Sequence, residues 1–180
     1  PFKNWRGMED SGGRRIKRAL YIDQESICFI EPQLRARLEK IKLLSNHFGT
    51  KEKEIKKANN VLGSDKINHR RLTNIGVFRA YVLEYLQNND KINNDLTMMV
   101  RQLNPTNIGI PLEVYAFTST VEWVEYESVQ SDIFDHLLAI ISIFDLKLTQ
   151  APSGNDIKSL GYNINQNSKS YEGQSSIKGK

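Results

Sequence analysis

The sequence predicts an α+β fold. Apolar side chains occupy every second position in segments 96–101 and 112–117, and in segment 15–22 they do so with the exception of Arg18, which is the two-residue period of β-strands. Between and after these segments, apolar residues recur at spacings of three and four, as they do on the buried face of a helix. With a short last strand at 146–150, the order becomes βαββαβ. This is the ferredoxin-like arrangement, with a helical insertion between the first and second strands.

The first half of this order begins with strand 15–22, whose two faces alternate. One face carries Ile16, Arg18, Leu20 and Ile22, and the other carries Arg15, Lys17, Ala19 and Tyr21. Pro32 suits the first turn of a helix, whose apolar stripe continues through Phe48. Segment 51–60 is very polar and predicts an exposed helical extension, and a loop follows at 61–69.

The second half contains a helix, a strand hairpin and a last helix. Thr73 or Asn74 caps the first of these helices. Turn residues at 104–109 join the two central strands into a hairpin. Because both faces of these strands carry apolar residues, we expect them to be central and covered on much of both sides. The last helix spans about 126–144, and the polar chain from Asn155 onwards is expected to be mostly disordered.

The composition is that of an ordinary globular domain with tails. The 180 residues are 39% hydrophobic and 26% charged, and no apolar run approaches the roughly 20 residues that a membrane-spanning helix needs. Lys and Arg number 25 against 21 Asp and Glu, a net charge of +4 that is too mild to demand a nucleic-acid partner. The single Cys28 excludes an intrachain disulfide, and its apolar neighbours predict a buried side chain.

Asp132, Asp135 and His136 form the set that most resembles a catalytic site, and within it Asp132 and His136 are the pair suited to chemistry. Four residues apart on a predicted helix, they could meet on one face and share a proton or ligate a metal. No cysteine or second histidine accompanies them, so a structural Asp–His hydrogen bond is the favoured interpretation. His47 and His69 lie in polar surroundings and are interpreted as surface residues. We therefore predict no catalytic residue, no metal site and no cofactor.

Four basic residues cluster where the first strand begins, namely Arg14, Arg15, Lys17 and Arg18. One interpretation is a solvated strand end. A second is nucleic-acid binding, because a ferredoxin-like fold is similar to that of RNA-recognition domains. The strand motif of that module, a basic residue followed by glycine and two spaced aromatics, is absent here. A third interpretation depends on a family resemblance.

Several blocks of sequence carry that resemblance. They are Phe2-Lys-Asn-Trp5 with its flexible Gly-Gly-Arg-Arg link, Arg70-Arg-Leu-Thr-Asn-Ile-Gly-Val-Phe-Arg-Ala-Tyr81, Val100-Arg-Gln-Leu-Asn-Pro-Thr106 with Ile110-Pro-Leu-Glu-Val-Tyr-Ala-Phe-Thr118, and Gln130-Ser-Asp-Ile-Phe-Asp-His-Leu-Leu-Ala139. With these blocks in order across roughly 2–154, the chain resembles the cytoplasmic part of MscS-type mechanosensitive channels. The closest resemblance is to the YbdG-like, miniconductance branch.

The resemblance implies that the chain is a piece of a larger ion channel. Residues 1–14 would be the end of a membrane-proximal β-domain and its linker, 15–152 the ferredoxin-like cytoplasmic domain, and 153–180 a disordered tail. The whole protein would be a homo-oligomeric ring, a heptamer in the family, at the cytoplasmic face of the bacterial inner membrane. It would pass ions and small osmolytes under membrane tension during osmotic stress. Its membrane helices and pore would precede this chain, which would be non-enzymatic, soluble in isolation and without a nucleic-acid partner.

On this third interpretation, the basic cluster has a role in conduction. Arg14, Arg15, Lys17 and Arg18 would lie near the side portals of an aqueous vestibule, where they would attract anions. The alternative to a channel domain is a stand-alone ferredoxin-like domain with a regulatory or RNA-binding function. Apolar helices encoded upstream of Pro1 would distinguish the channel from this alternative.

Overall fold

The sheet of this protein has three antiparallel strands in the order β1-β3-β2, as seen in a computed structural model that describes residues 12–150. Strand β1 is Arg15–Ile22, β2 is Met99–Gln102 and β3 is Ile110–Phe117. Four α-helices accompany the sheet in this part of the chain. The mixture of helices and an antiparallel sheet confirms the predicted α+β class.

The pairing of the strands follows the predicted hairpin, with one change of boundary. Strand β1 pairs with β3 along its whole length, and its predicted bounds of 15–22 are confirmed. Strand β2 starts at Met99, opposite Tyr115, three residues later than predicted. The segment before β2 does not belong to this ladder. It contacts the end of β3 instead, where the Asn93 N–H donates to the Phe117 carbonyl at 2.8 Å.

Segment 146–150 does not form the predicted fourth strand. It makes a single antiparallel bridge, Leu148 opposite Ile22, at the edge of β1 that faces away from β3. Beside the bridge, the Asp23 N–H donates to the Lys147 carbonyl at 2.8 Å. The pairing goes no further because β1 ends at Ile22, and Asp23 then caps a short 3-10 helix that turns the chain away.

The insertion between β1 and β2 begins with two helices rather than one continuous helix. Helix α1 is Pro32–Leu38 and α2 is Ser45–Asn59, with a 3-10 helix, Lys42–Leu44, between them. The prediction of an unbroken stripe through Phe48 was wrong because Ile41 has an extended backbone, with φ −81° and ψ 108°, which ends the helical hydrogen bonding. Leu44 and Phe48 are nevertheless buried, so the spacing identified the core residues correctly.

Two longer helices complete the fold. Helix α3 is Asn74–Gln87 and α4 is Trp123–Ile140, which continues into a 3-10 helix, Ile141–Phe144. Thr73 caps α3 as predicted, since its Oγ1 accepts a hydrogen bond from the Gly76 N–H at 3.2 Å. Helix α4 begins three residues before the predicted start because the Glu122 side chain accepts from the Glu125 N–H and caps it there.

The two faces of the sheet have different surroundings. The face that packs in the hydrophobic core with the helices buries Ile16, Leu20, Ile22, Leu112, Val114 and Ala116. On the opposite face, Arg15, Lys17 and Tyr21 of β1 are exposed, whereas Glu113 of the central strand β3 is only 6% exposed. The predicted cover on both sides is therefore confirmed for β3 alone. Its outer face is shielded by the side chains of its two neighbouring strands.

Cys28 is exposed, and the prediction that it is buried was wrong. The residue lies in an irregular segment after the 3-10 helix that follows β1. Its backbone N–H donates to Oδ1 of the fully buried Asn74 at 3.0 Å. The backbone of Cys28 is therefore anchored to the start of α3 while its thiol remains at the surface.

The elements above lie in one compact unit, which ends at Thr149. None of its described helices is long and apolar enough to cross a membrane. The expected β-domain end at 1–14, apart from its last three residues, and the expected tail at 153–180 lie outside the described residues.

Candidate functional site

Two members of the basic cluster, Arg14 and Arg18, lie against aromatic rings of α4. The Arg18 guanidinium carbon is 4.2 Å from the centre of the Phe134 ring, on the helix side of the sheet. That of Arg14, just before β1, is 4.8 Å from the centre of the Tyr126 ring. Such cation–π contacts contribute roughly 0.5–1 kcal/mol each at exposed sites. Both arginines therefore help to hold the start of β1 against α4.

The other two members, Arg15 and Lys17, are exposed on the outer face of the sheet. Lys17 lies opposite Tyr115 in the strand register, and Arg15 lies opposite Phe117. The Arg15 guanidinium carbon is 6.0 Å from the centre of the Tyr115 ring, and the rings of Tyr115 and Phe117 meet edge to face at 5.7 Å. Among residues 12–150, neither cation has an acidic partner.

The next row of the same face holds a neutralised pair, Arg101 and Glu113. The Arg101 Nε and Nη2 atoms lie 2.9 and 2.8 Å from Oε1 of Glu113, whose side chain is 8% exposed. Oε1 of this acidic side chain is thus engaged across the β2–β3 ladder, and among residues 12–150 Glu113 forms no ion pair with the cations on β1. Sequence reasoning missed the pair, although an acidic residue in a strand with apolar neighbours on both sides is the signal that a partner is required.

Tyr126 and Trp123 of α4 differ sharply in exposure. Tyr126 is 9% exposed and its hydroxyl donates to the Arg15 carbonyl at 2.7 Å. Burial and then the Glu127 carboxylate raise the pKa of the Tyr126 phenol, while Arg14 and Arg15 oppose them. Trp123 is 62% exposed. Tyr126 is therefore a core residue, and Trp123 is at the surface.

His136 does not pair with Asp132. Its Nε2 lies 2.6 Å from the Tyr81 hydroxyl on α3, and its ring stacks on that of Tyr85 at 4.4 Å. In the part of the chain that the structure describes, no group of three or more His, Cys, Asp and Glu side chains is placed to hold a metal ion. The pair identified in the sequence is therefore replaced by a contact between two helices.

The other two histidines also have defined surroundings. His47, on α2, is half-buried, and its Nε2 atom is itself buried without a hydrogen-bond partner among residues 12–150. Burial, followed by the positive charges of Lys51 and Arg79, lowers the pKa of His47. His69 is half-buried, with its Nε2 2.8 Å from the Gly63 carbonyl.

One comparison with known proteins bears on this geometry. Residues 72–148 match a family model described as "Mechanosensitive ion channel MscS, C-terminal". The match begins just before α3 and contains the β2–β3 hairpin and α4. It supports a relationship with the MscS family, and it concerns a channel domain rather than an enzyme. Strand β1 with its basic cluster, together with α1 and α2, precedes the matched region.

Proposed function

We propose that this chain is the cytoplasmic C-terminal part of an MscS-type mechanosensitive channel of the YbdG-like branch. The match at residues 72–148 carries the proposal. The blocks 100–106, 110–118 and 130–139, which resemble the family, lie inside the matched region, and block 70–81 begins two residues before it. In this proposal, residues 72–148 belong to a continuous cytoplasmic domain that also includes β1 and the insertion.

The arrangement of the strands supports a ferredoxin-like fold for this domain. In a split βαβ fold, the strand after the last helix lies beside the first strand. Here β3 lies on one side of β1, and Leu148 forms its bridge to Ile22 on the other side. We interpret segment 146–150 as a fourth strand that has been reduced to one bridge.

In the assembled channel, the domain would form part of the wall of an aqueous vestibule at the cytoplasmic face of the bacterial inner membrane. An MscS-type channel is an oligomer, and a homo-oligomeric ring, a heptamer in the family, would repeat the basic cluster around its axis. Within this cluster, Arg15 and Lys17 are the candidates to act on passing ions and osmolytes. They are exposed and have no acidic partner among residues 12–150. Arg14 is half-buried, and Arg18, although exposed, lies over the Phe134 ring on the helix side of the sheet, at 4.2 Å.

The proposal also assigns roles to the ends of the chain. Residues 1–14 would connect the domain to a β-domain next to the membrane, 15–152 would form the domain itself, and 153–180 would be a tail. The coding sequence upstream of Pro1 should then encode apolar helices of about 20 residues each.

Electrophysiology of the full-length protein tests this function. Reconstituted in liposomes, the full-length protein should conduct ions when suction is applied to a membrane patch. The 180-residue chain alone serves as the control and should give no current. The proposal is wrong if the upstream sequence encodes no apolar helices, or if the full-length protein gives no current under suction that opens a known channel in the same vesicles.

A further inference from the structure

The insertion between β1 and β2 lines a cavity of about 860 Å³. Helix α2 and the loop from α2 to α3 supply most of its walls, and no residue of the basic cluster contributes to it. The apolar part of the lining consists of Ile30, Ile55 and Leu72, each half-buried. Cavities of this size that combine apolar walls with a few polar groups are typical of small-molecule sites.

Positive charge dominates the charged part of the lining. Arg35, Lys56, Arg70 and Arg71 line the cavity together with a single carboxylate, that of Glu52. Glu52 already forms an ion pair with Arg35. The lining therefore retains an excess of cationic side chains. This excess outweighs the partial negative charge, about half an elementary charge, at the C-terminal end of α2.

Three hydrogen-bond donors of the lining have no protein partner among residues 12–150, and all three side chains are exposed to solvent. The side chains of Lys56, Asn60 and Ser64 make no ion pair or hydrogen bond with any residue of 12–150. Lys56 and Asn60 are one helical turn apart at the end of α2. Gly63, with φ +75°, turns the chain so that Ser64 also lines the cavity. Three exposed donors without a protein partner in this part of the chain thus line the same cavity as the apolar side chains.

The two remaining arginines of the lining form long ion pairs, and the Arg71 guanidinium carbon also lies 3.9 Å from the centre of the Phe29 ring. Arg70 reaches Glu54 at 3.4 Å and Arg71 reaches Glu31 at 3.8 Å, and all four side chains are substantially exposed. Exposed ion pairs of this kind contribute little, with a median of about 0–1 kcal/mol. Arg70 can therefore exchange Glu54 for an anion in the cavity at little cost, whereas Arg71 is held over the Phe29 ring as well as by Glu31.

We propose that this cavity is a binding site for a small amphipathic anion. Its aryl or short alkyl body packs against Ile55 and Leu72, and its phosphate or carboxylate accepts hydrogen bonds from Lys56, Asn60 and Ser64. A lysine ammonium is a mobile point charge that suits either head group. The same excess of positive charge disfavours a metal cation or a cationic ligand. This inference is independent of the channel assignment.

Calorimetric titration of the 180-residue chain with phenyl phosphate tests the proposal, with inorganic phosphate and phenylacetate titrated in parallel. We expect saturable binding of phenyl phosphate at millimolar concentrations. Inorganic phosphate should bind about tenfold more weakly, because it lacks the body that covers the apolar walls. Tighter binding of phenyl phosphate than of phenylacetate assigns a phosphate as the preferred head group, and the reverse order assigns a carboxylate. Equal affinity for phenyl phosphate and inorganic phosphate contradicts the amphipathic site.

Two matched charge reversals locate the site. Lys56→Glu should weaken the binding of phenyl phosphate about tenfold. Lys57→Glu should leave the binding nearly unchanged, because Lys57 is equally exposed on the next position of α2 but does not line the cavity. Thermal unfolding of both variants establishes that they are folded. Equal weakening by the two reversals would show unspecific attraction to a basic surface, and no saturable binding by the unmodified chain would overturn the site altogether.

Discussion

The hydroxyl of Tyr81 lies 2.6 Å from Nε2 of His136, and this contact joins α3 to α4. The two residues are 55 positions apart in the sequence. Tyr85, one turn further along α3, stacks on the same imidazole, with ring centres 4.4 Å apart. Burial raises the pKa of Tyr85, and the nearby Asp132 carboxylate raises it further. The polar side of α4, which suggested a catalytic pair, therefore serves to pack one helix against another.

The Tyr81 phenol should make the stability of the fold sensitive to alkaline pH. Burial, and then the charge of Tyr85, raise the pKa of Tyr81 from 10.0 to about 12. The folded state thus holds this proton more tightly than the unfolded state does. The resulting stabilisation is complete below pH 10 and is lost as the pH rises from 10 to about 12. Urea unfolding at a series of pH values should show a shallower alkaline loss in Tyr81→Phe.

Two further measurements complete this test. At neutral pH, Tyr81→Phe should cost roughly 0.5–1.5 kcal/mol, because it removes one hydrogen bond from the interface of the two helices. Tyr21→Phe removes an exposed phenol from β1 and is the matched control. An alkaline loss in Tyr81→Phe as steep as in the unmodified chain and in Tyr21→Phe would contradict the role given to this proton.

Local periodicity predicted most of the elements, and long-range pairing explains where it failed. Strand β1 was correctly bounded because Ile16, Leu20 and Ile22 share one face and are buried, although Arg18 on the same face is exposed. Segment 146–150 has a strand-like pattern, but its pattern could not show that only one residue pair would meet the edge of β1. The contact of Tyr81 with His136 was missed because spacing reveals partners on the same helix and not partners on another.

The buried stripe of α4 should be the most sensitive part of the core. Leu137 is fully buried, so Leu137→Ala should lower the free energy of unfolding by roughly 2–5 kcal/mol through lost burial and a residual cavity. Ser131 is exposed on the same helix, and Ser131→Ala should change it by less than about 0.5 kcal/mol. Chemical denaturation of both variants measures the difference. Equal destabilisation would mean that the two sides of α4 have been assigned wrongly.

Gly13 marks a close approach of two backbone segments rather than a flexible link. The residue is buried, and a Cβ added there would lie 2.5 Å from the Thr118 carbonyl oxygen. Gly13→Ala should therefore cost roughly 1–3 kcal/mol, because the backbone must shift to relieve the overlap. Gly49→Ala is the opposite case, since an added Cβ meets nothing within 4 Å on the exposed side of α2.

The two glycine variants should move the melting temperature in opposite directions. Replacing a glycine in a helix interior by alanine stabilises by roughly 0.5–1 kcal/mol, because the unfolded chain loses conformational freedom. Calorimetric melting of both variants decides the matter. A melting temperature for Gly13→Ala equal to that of the unmodified chain would show that this segment can move away from Thr118 without cost.

Breaking the Arg101–Glu113 pair should lower the free energy of unfolding, whereas replacing both residues by apolar ones should change it little. Arg101→Met leaves the buried Glu113 carboxylate without its partner, at a cost of roughly 1–3 kcal/mol. The double variant Arg101→Met/Glu113→Leu removes both charges and should recover most of this loss. Lys17→Met deletes a cation of the same face that has no acidic partner in the described chain, and it should have little effect on unfolding. A double variant as unstable as Arg101→Met would contradict this account.

In the proposed channel, Arg15 and Lys17 should affect ion selectivity rather than gating. Charge in a ring of subunits repeats around the vestibule and can build a local potential, whereas a single exposed charge is screened over a Debye length of about 8 Å at physiological salt. Arg15→Glu/Lys17→Glu in the full-length protein should therefore shift selectivity towards cations, most clearly at low salt. The opening tension should stay nearly unchanged, because tension acts on membrane helices and no described helix of this chain could cross a membrane.

The control for this experiment carries the same change in net charge at another place. Lys53→Glu/Lys57→Glu reverses two exposed residues of α2 that, within residues 12–150, have no ion pair and lie outside the basic cluster. Reversal potentials measured in asymmetric salt should shift for the β1 variant and not for the α2 variant. Equal shifts would reduce the effect to overall charge. An unchanged reversal potential in the β1 variant at low ionic strength would leave Arg15 and Lys17 as a solvated strand end, because an unscreened ring of charge could not remain without effect on passing ions.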